Sequence, residues 1–392
     1  MMPSRHRRRW FQGNDDPLMH LLIDALSVNN LSGRHVLVGH VRELAAVLSD
    51  TWRFTLLTHR GNADLIKALP QSVAHVEAST TGAWWERWSW GLRQFDRMAS
   101  ARSVDLVLSP SGMLSPGCSL PQIVLAQNPW PLVANEPGFA GLRLWLQRRG
   151  FARAQGRAWR MVFNSHYMEQ LYRNAFGAPS GSSVVAYQGV ADDLLDRRAL
   201  PEEGAVREQI VLSVSVMARH KAIEVLVRAF AQATRRQPGA RLVLVGQWPD
   251  DSYRTEVLAV ISELDMQSRV DLLGHVDADA LHALYGRARV FCLLSRCESF
   301  GIPAVEAQAA GMPVVVADGT AAPEIAGAGA MVVPMDDVNA AADAIAALLT
   351  DDARWAALAQ RAQQNAARFR WRLCSLPLVE ALRAFETQAR AA

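Results

Sequence analysis

The sequence predicts an α/β chain of two facing, doubly wound, Rossmann-like domains. Three observations lead there. Short apolar runs alternate with longer stretches of helical period, the pattern of parallel sheets wrapped by helices. A polar stretch near the middle interrupts that pattern, which then starts again with a strand. With 392 residues, 50% hydrophobic and 20% charged, the chain can fill two cores of ordinary size.

The elements follow in order. Residues 1–18, with the basic run Arg5 to Trp10, read as a disordered head that could attract phosphate or lipid head groups; Met19 is the expected working start. The first domain is expected over 19–190. Its strands are "LLIDAL", "FTLLTH", "VDLVLS", "PQIVLAQNPWP" running into a turn, "RMVFNS" and "SVVAYQGV", and its first helix is "RHVLVGHVRELAAVLSD". Three Asp, two Glu, a Pro and a Gly cluster over 191–207, the expected linker. The second domain, 208–370, alternates strand and helix from "QIVLSVSV" and "KAIEVLVRAFAQATRR" onward to "RVFCLLS", "PVVVAD" and "NAAADAIAALLT". Residues 371–392 are helical and are expected to cross back onto the first domain. Ligands of open parallel sheets bind outside the carboxyl ends of the strands, so the site is expected in the cleft between the domains.

Composition narrows the partners. A net charge of +3 gives no reason to expect nucleic acid. No apolar run reaches the roughly 18–20 residues that cross a bilayer, and no secretory signal pattern opens the chain. Cys118, Cys292, Cys297 and Cys374 lack metal-ligand spacing, which suits a reduced, cytoplasmic compartment.

The chemistry concentrates in "SRCESFGIPAVEAQAAGMPVVVAD", Ser295 to Asp318. A buried strand precedes it and the helix "AVEAQAAG" lies within it, with Pro303 suited to the first helical position. Ser299 to Ile302 then form a strand-to-helix turn whose free N–H groups and helix dipole favour an anion. Gly301 lets the backbone come close to it. Glu298 before the turn and Glu306 in the helix can each accept hydrogen bonds from vicinal hydroxyls. A nucleotide sugar, with sugars on both sides of a diphosphate, fills that arrangement; two solvated acids at a helix start is the plainer alternative.

This stretch resembles the donor-site signature of the GT-B-type retaining glycosyltransferases of family 4, the glycosyl transferases group 1. The shared elements are the Ser before the first Glu, the Phe-Gly pair, the Glu-seven-Glu spacing, the Gly and the Pro-Val-Val. "APEIAGAGAMVVPMDD" and "VDLLGHVDADALHALYGRARVFCLLS" fit the same family, and the likeness is dense from Ile210 to Asp337. It implies a GT-B fold and retaining transfer from a nucleotide diphosphate sugar to a saccharide or lipid-linked saccharide, as in bacterial surface polysaccharide or lipopolysaccharide synthesis. The same chain could instead be a non-catalytic nucleotide-binding or partner subunit, or an epimerase or hydrolase.

The resemblance assigns residues. Ser299 and the amides of Phe300, Gly301 and Ile302 would hold the diphosphate, Glu298 the donor sugar and Glu306 the ribose. The family's Lys falls at Lys221; its Arg, five residues earlier, is replaced by Val216, leaving Arg219 as the nearest substitute. On the acceptor side stand Gly33, alone of the usual glycine pair, and Gln127 and Asn128, neither of which can serve as a general base at neutral pH. No catalytic metal or cofactor is expected; "DAD" (Asp277 to Asp279) reads as a helix cap. Trp84, Trp85, Trp88, Leu92 and Phe95 share one helical side. Such a stripe is expected in a core, with a lipid-facing surface as the alternative that would allow peripheral contact with the inner face of a membrane.

Overall fold

The computed structural model describes residues 18–134, 138–196 and 207–391. The predicted basic head and most of the predicted linker lie outside them.

The first domain opens with β1 (Met19–Asp24), α1 (Leu31–Leu48), β2 (Trp52–His59), β3 (Val73–Ala78) and α2 (Trp84–Ala101). It continues through β4 (Leu106–Ser109), β5 (Gln122–Ala126), α3 (Trp130–Val133), α4 (Gly138–Arg157) and β6 (Arg160–Phe163). Helix α5 (His166–Phe176), β7 (Ser182–Val185) and α6 (Asp192–Asp196) complete it. Its strands pair in parallel in the order β3-β2-β1-β4-β5-β6-β7. All six residues of β1 are buried, as a strand covered on both faces requires. Leu21, Ile23, Leu108 and Leu125 face α1. Leu22, Leu57 and Val107 on the other face pack on Phe95 and Ala99 of α2. On that same face Val124 and Phe163 meet Phe151 of α4 and Met168 of α5.

The second domain runs through β8 (Glu208–Val214), α7 (Ile223–Ala233), β9 (Arg241–Val245), α8 (Asp251–Glu263), β10 (Val270–Gly274) and α9 (Ala278–Arg287). It continues with β11 (Ala288–Leu293), α10 (Ile302–Ala309), β12 (Val314–Ala317), α11 (Ala322–Ala326) and β13 (Ala330–Val333). Helices α12 (Val338–Thr350), α13 (Asp352–Ala366), α14 (Trp371–Cys374) and α15 (Leu376–Ala391) end the chain. The sheet order is β10-β9-β8-β11-β12-β13, again parallel. The strand order reverses between β8 and β11, so the loops leaving their carboxyl ends flank the crevice where such sheets bind ligands.

The chain returns to its first domain at the end. Leu378, Val379, Leu382 and Phe385 of α15 belong to the core that α1 builds on the first sheet. The return passes a tight junction: Val190 N–H donates to Phe369 O at 2.9 Å, and the Trp371 indole lies against Gly39 and Gly189. A Cβ on Gly39 would come within 2.3 Å of that ring, so no larger residue fits.

The tryptophan stripe departs from the expected core placement. Gly91, Phe95 and Ala99 are buried, but Trp84, Trp85 and Trp88 are 70%, 57% and 55% exposed. The reason is geometric. Phe95 and Ala99 of α2 pack on the sheet with Trp90 and Met98 partly buried beside them; the first turns, Trp84 to Trp88, overhang that core and leave three indoles exposed.

Candidate active site

Strand β11 is wholly buried, and the chain leaves its carboxyl end through Ser295–Gly301 into α10. The helix begins at Ile302, one residue before the expected start, so Pro303 takes the second helical position. Gly301 caps it with φ 95°, a left-handed conformation that glycine adopts at little cost. The Phe300 ring is buried against Phe369 and Tyr187 and anchors the turn. The N–H groups of Phe300, Gly301 and Ile302 donate to no group among the described residues. Three successive amides thus stand unpartnered at the positive end of a helix, beside partly exposed Ser299, Ile302 and Pro303.

The loop leaving β8 supplies the cation. Lys221 ends a short 3-10 turn, Arg219–Lys221, rather than starting α7 as expected. Ala222 follows at φ 52°, and the chain enters α7 with Ile223 N–H donating to Tyr253 Oη at 2.8 Å. Lys221 Nζ lies 2.6 Å from Glu298 Oε2, both side chains about 15% exposed (14% and 15%). The loops of the two switch-point strands therefore meet through one ion pair. Next to it, burial and the Lys221 charge push the His220 imidazole down to about 4, so this ring is neutral at pH 7. His220 also faces Trp130 of the first domain, ring centres 5.4 Å apart.

Glu306 sits one turn into α10 and accepts a 2.9 Å hydrogen bond from Tyr285 Oη. Burial raises its carboxyl above the ordinary value, against the opposing effects of that bond and of His35 and His282. Glu298, Glu306, Lys221 and the unpartnered amides are thus gathered on two loops and the first turns of α10.

The other residues singled out in the sequence make contacts of their own. Arg219 lies 2.6 Å from Glu256 and 3.4 Å from Asp250, with its guanidinium 5.1 Å from the Tyr253 ring centre. Its charge is engaged by Glu256 of α8 and by Asp250, which caps that helix, with Ser252 Oγ accepting at 3.1 Å. Val216 is an exposed side chain. Gly33 lies inside the first turn of α1, where its N–H donates to the Asn30 cap at 2.7 Å; this amide is taken, not offered to a phosphate. Gln127 donates to Pro110 O at 3.3 Å and accepts from Gln188 at 3.4 Å. The Asn128 side chain accepts from Trp130 N–H at 3.1 Å. Asp277 caps α9 through Ala280 N–H at 2.8 Å.

Two residues with structural command of the site escaped the sequence reading. Arg296 donates to Glu224 at 2.6 Å, to Asp336 at 2.7 Å and to Arg219 O at 3.0 Å, while its own N–H donates to His220 O at 2.7 Å. It pins the Lys221 turn to the glutamate loop. Glu324, in α11, accepts from the His166 and Tyr167 amides at 2.8 Å each and from Tyr187 Oη at 3.1 Å. It thereby caps α5 from the opposite domain. The only sequence signal was a lone cation inside an acidic stretch, and a Pro-Glu pair with no visible partner.

Comparison with known proteins agrees with this architecture. Residues 197–369 match the family described as glycosyl transferases group 1. The chain is 38% identical over 170 residues to a D-inositol 3-phosphate glycosyltransferase of Nocardia farcinica, spanning 42% of this chain and 38% of that protein. It is 30% identical over 238 residues to a GDP-mannose-dependent alpha-(1-6)-phosphatidylinositol monomannoside mannosyltransferase of Mycolicibacterium smegmatis, spanning 57% and 61%. The matches thus span less than two thirds of those relatives. Among solved structures, sucrose-phosphate synthase from Thermosynechococcus elongatus superposes with TM-score 0.71 at 19% identity, covering 94% of this chain and all of the other. Anabaena HepE in complex with UDP and glucose gives 0.70 at 19%, covering 93% and 100%. At that identity the structures show the fold, two parallel-sheet domains of GT-B type.

Proposed function

We propose, from the match of residues 197–369 to the glycosyl transferases group 1 family, that the chain is a retaining, metal-independent glycosyltransferase. Its donor is a nucleotide diphosphate sugar and its acceptor a saccharide or lipid-linked saccharide of bacterial surface polysaccharide synthesis, met at the cytoplasmic face of a membrane. The observation that carries the reading is the row of unpartnered amides, Phe300 to Ile302, beside the Lys221–Glu298 pair.

The diphosphate lies on those amides and on Lys221, Glu306 accepts from the ribose hydroxyls, and Glu298 from hydroxyls of the donor sugar. The acceptor hydroxyl attacks the anomeric carbon on the face from which the diphosphate departs. One carbon–oxygen bond forms there as the bond to the phosphate oxygen breaks, and the acceptor proton passes to the leaving phosphate. Lys221 and the amides meet the charge that develops, so neither a protein base nor a metal ion is required. A thermal-shift screen of nucleotide sugars identifies the donor. Time-dependent release of nucleoside diphosphate, with product NMR showing the donor's anomeric configuration kept, then tests the transfer.

A second reading, nucleotide binding without transfer, draws on the engaged Arg219 and the capped Gly33 amide. Saturable nucleotide binding with no diphosphate release from any donor would favour it.

A further inference from the structure

The overhang of α2 leaves an apolar surface that no described residue covers. Trp84, Trp85, Trp88 and Leu92 are each more than half exposed. Helix α4 lies over the same face of the first sheet and follows β5 as α2 follows β3, so the N-terminal halves of both helices stand at the carboxyl edge. There α4 turns Leu142, Trp145 and Leu146 outward, on the side opposite buried Leu144 and Phe151. Further along the same outer side come Arg149, Arg153 and Arg157, all exposed, with Arg149 lying 4.5 Å from the Trp145 ring centre. No acidic residue occurs in α4. The two acids of α2 are occupied, Glu86 by Thr80 and Thr81 and Asp96 by Ser119 N–H.

The charge also reaches under the overhang. A cavity of about 580 Å³ opens between β3 and α2, with Arg60 and Arg93 on its walls. Neither arginine has an ion-pair partner among the described residues, although Glu77 and Glu86 line the same cavity.

We propose that this surface seats the protein on a membrane containing anionic lipid. Indole rings favour the head-group level, where one edge is apolar and the other wet. An amphipathic face with tryptophan and leucine on one part and arginine on another lies in the interface plane and draws anionic head groups. A neutral protein partner would leave the arginine row uncompensated; anionic lipid answers both halves at once. The carboxyl edge of the first sheet, where the proposed acceptor enters, is then turned toward the membrane. This rests in part on the lipid-linked acceptor reading but is measured separately from it.

The test uses the full chain and vesicles of phosphatidylcholine with and without phosphatidylglycerol, in flotation and tryptophan-emission measurements. Binding is expected only with phosphatidylglycerol and is weakened by salt. The Trp84→Ser/Trp85→Ser/Trp88→Ser variant should bind at least about tenfold more weakly, and Arg149→Gln and Arg153→Gln about fivefold each. All five side chains are exposed, so circular dichroism and nucleoside diphosphate titration should match the parent chain. Absence of binding, or binding that the variants leave unchanged, overturns the proposal. So does a parent chain that is dimeric by sedimentation and becomes monomeric on loss of the three tryptophans, since a second copy would then be the occupant. Failure on vesicles with intact nucleotide binding leaves the donor site standing; the reverse result condemns the donor site alone.

Discussion

Replacing Lys221 by alanine separates two jobs of one ammonium, the ion pair that it makes with Glu298 and the catalytic one proposed for it. At 2.6 Å from Glu298, with an effective dielectric near 20, the gross attraction is about 6 kcal/mol. Desolvation offsets much of it, since both side chains are largely out of water. Truncating one partner of a fully buried pair costs about 3–5 kcal/mol; with both side chains still about 15% exposed, about 2 kcal/mol is expected here. The second job is stabilising the leaving diphosphate, and loss of one such donor slows turnover by about 10²–10³-fold. The Lys221→Ala chain should therefore lose several degrees of melting temperature and slow diphosphate release by that factor. Lys221→Ala/Glu298→Ala should recover most of the melting temperature, because no carboxylate is left unpaired, but none of the turnover. Thermal melts and a coupled diphosphate assay read the two effects. A single variant that melts lower yet turns over within a fewfold of the parent refutes the role at the leaving group, and a double variant that restores both refutes the argument altogether.

Glu306→Gln should weaken nucleoside diphosphate binding about tenfold in calorimetry, as a charged acceptor for the ribose is lost. It should also raise the melting temperature at pH 7: burial raises this carboxyl, so ionising it costs stability as pH rises from the unfolded to the folded value, and an amide escapes that cost. Gly301→Ala must hold φ 95° and place a Cβ 3.0 Å from Leu293 Cδ2. A loss of about 1–2 kcal/mol in a denaturant melt is expected, with weakened diphosphate binding. Glu324→Gln removes a charged cap that α5 receives from the other domain. Turnover should fall by about 5–30-fold, the equivalent of a lost 1–2 kcal/mol cap, while nucleoside diphosphate affinity, read by calorimetry, should stay within a factor of two.

The fold and the donor loop were legible because both are written in local pattern. Buried parallel strands such as β11 are continuous apolar runs, and the Glu298–Glu306 spacing around Gly301 and Pro303 specifies a strand-turn-helix by itself. Where the reading failed, the deciding contact came from afar. Arg219 stands two residues from Lys221, yet Asp250 and Glu256 on α8 capture it. Gly33 is the exception: its partner Asn30 stands three residues away, and its being an N-cap residue was the local signal passed over. β3 went unrecognised, since "VAHVEA" carries polar residues toward the edge of the sheet and is paired on one side only. The tryptophan stripe has the period of a core helix. Periodicity identifies a helical side but not how far the sheet beneath it extends.

The two domains meet at the donor loop itself. Asn164 Nδ2 donates to Ser299 Oγ at 3.2 Å, and Ser165 Oγ donates to Ser299 O at 3.0 Å. Both donors belong to the first domain, and the residue they hold begins the turn whose amides are unpartnered. Ser165 also caps α5, through Met168 N–H at 3.2 Å. The same helix end receives Glu324, and the Glu298 carbonyl accepts from Ala321 N–H at 3.1 Å, just ahead of α11. Hydrogen bonds therefore tie the α5 terminus to Ser299 and to Glu324, and a further bond from just ahead of α11 holds Glu298 beside Ser299. Separating the domains must break the bonds from Asn164 and Ser165 to Ser299 and those that Glu324 accepts, and so must release Ser299. The geometry of the proposed anion pocket is thus tied to domain contact: a ligand that ordered the turn would favour the domain pair held by these bonds.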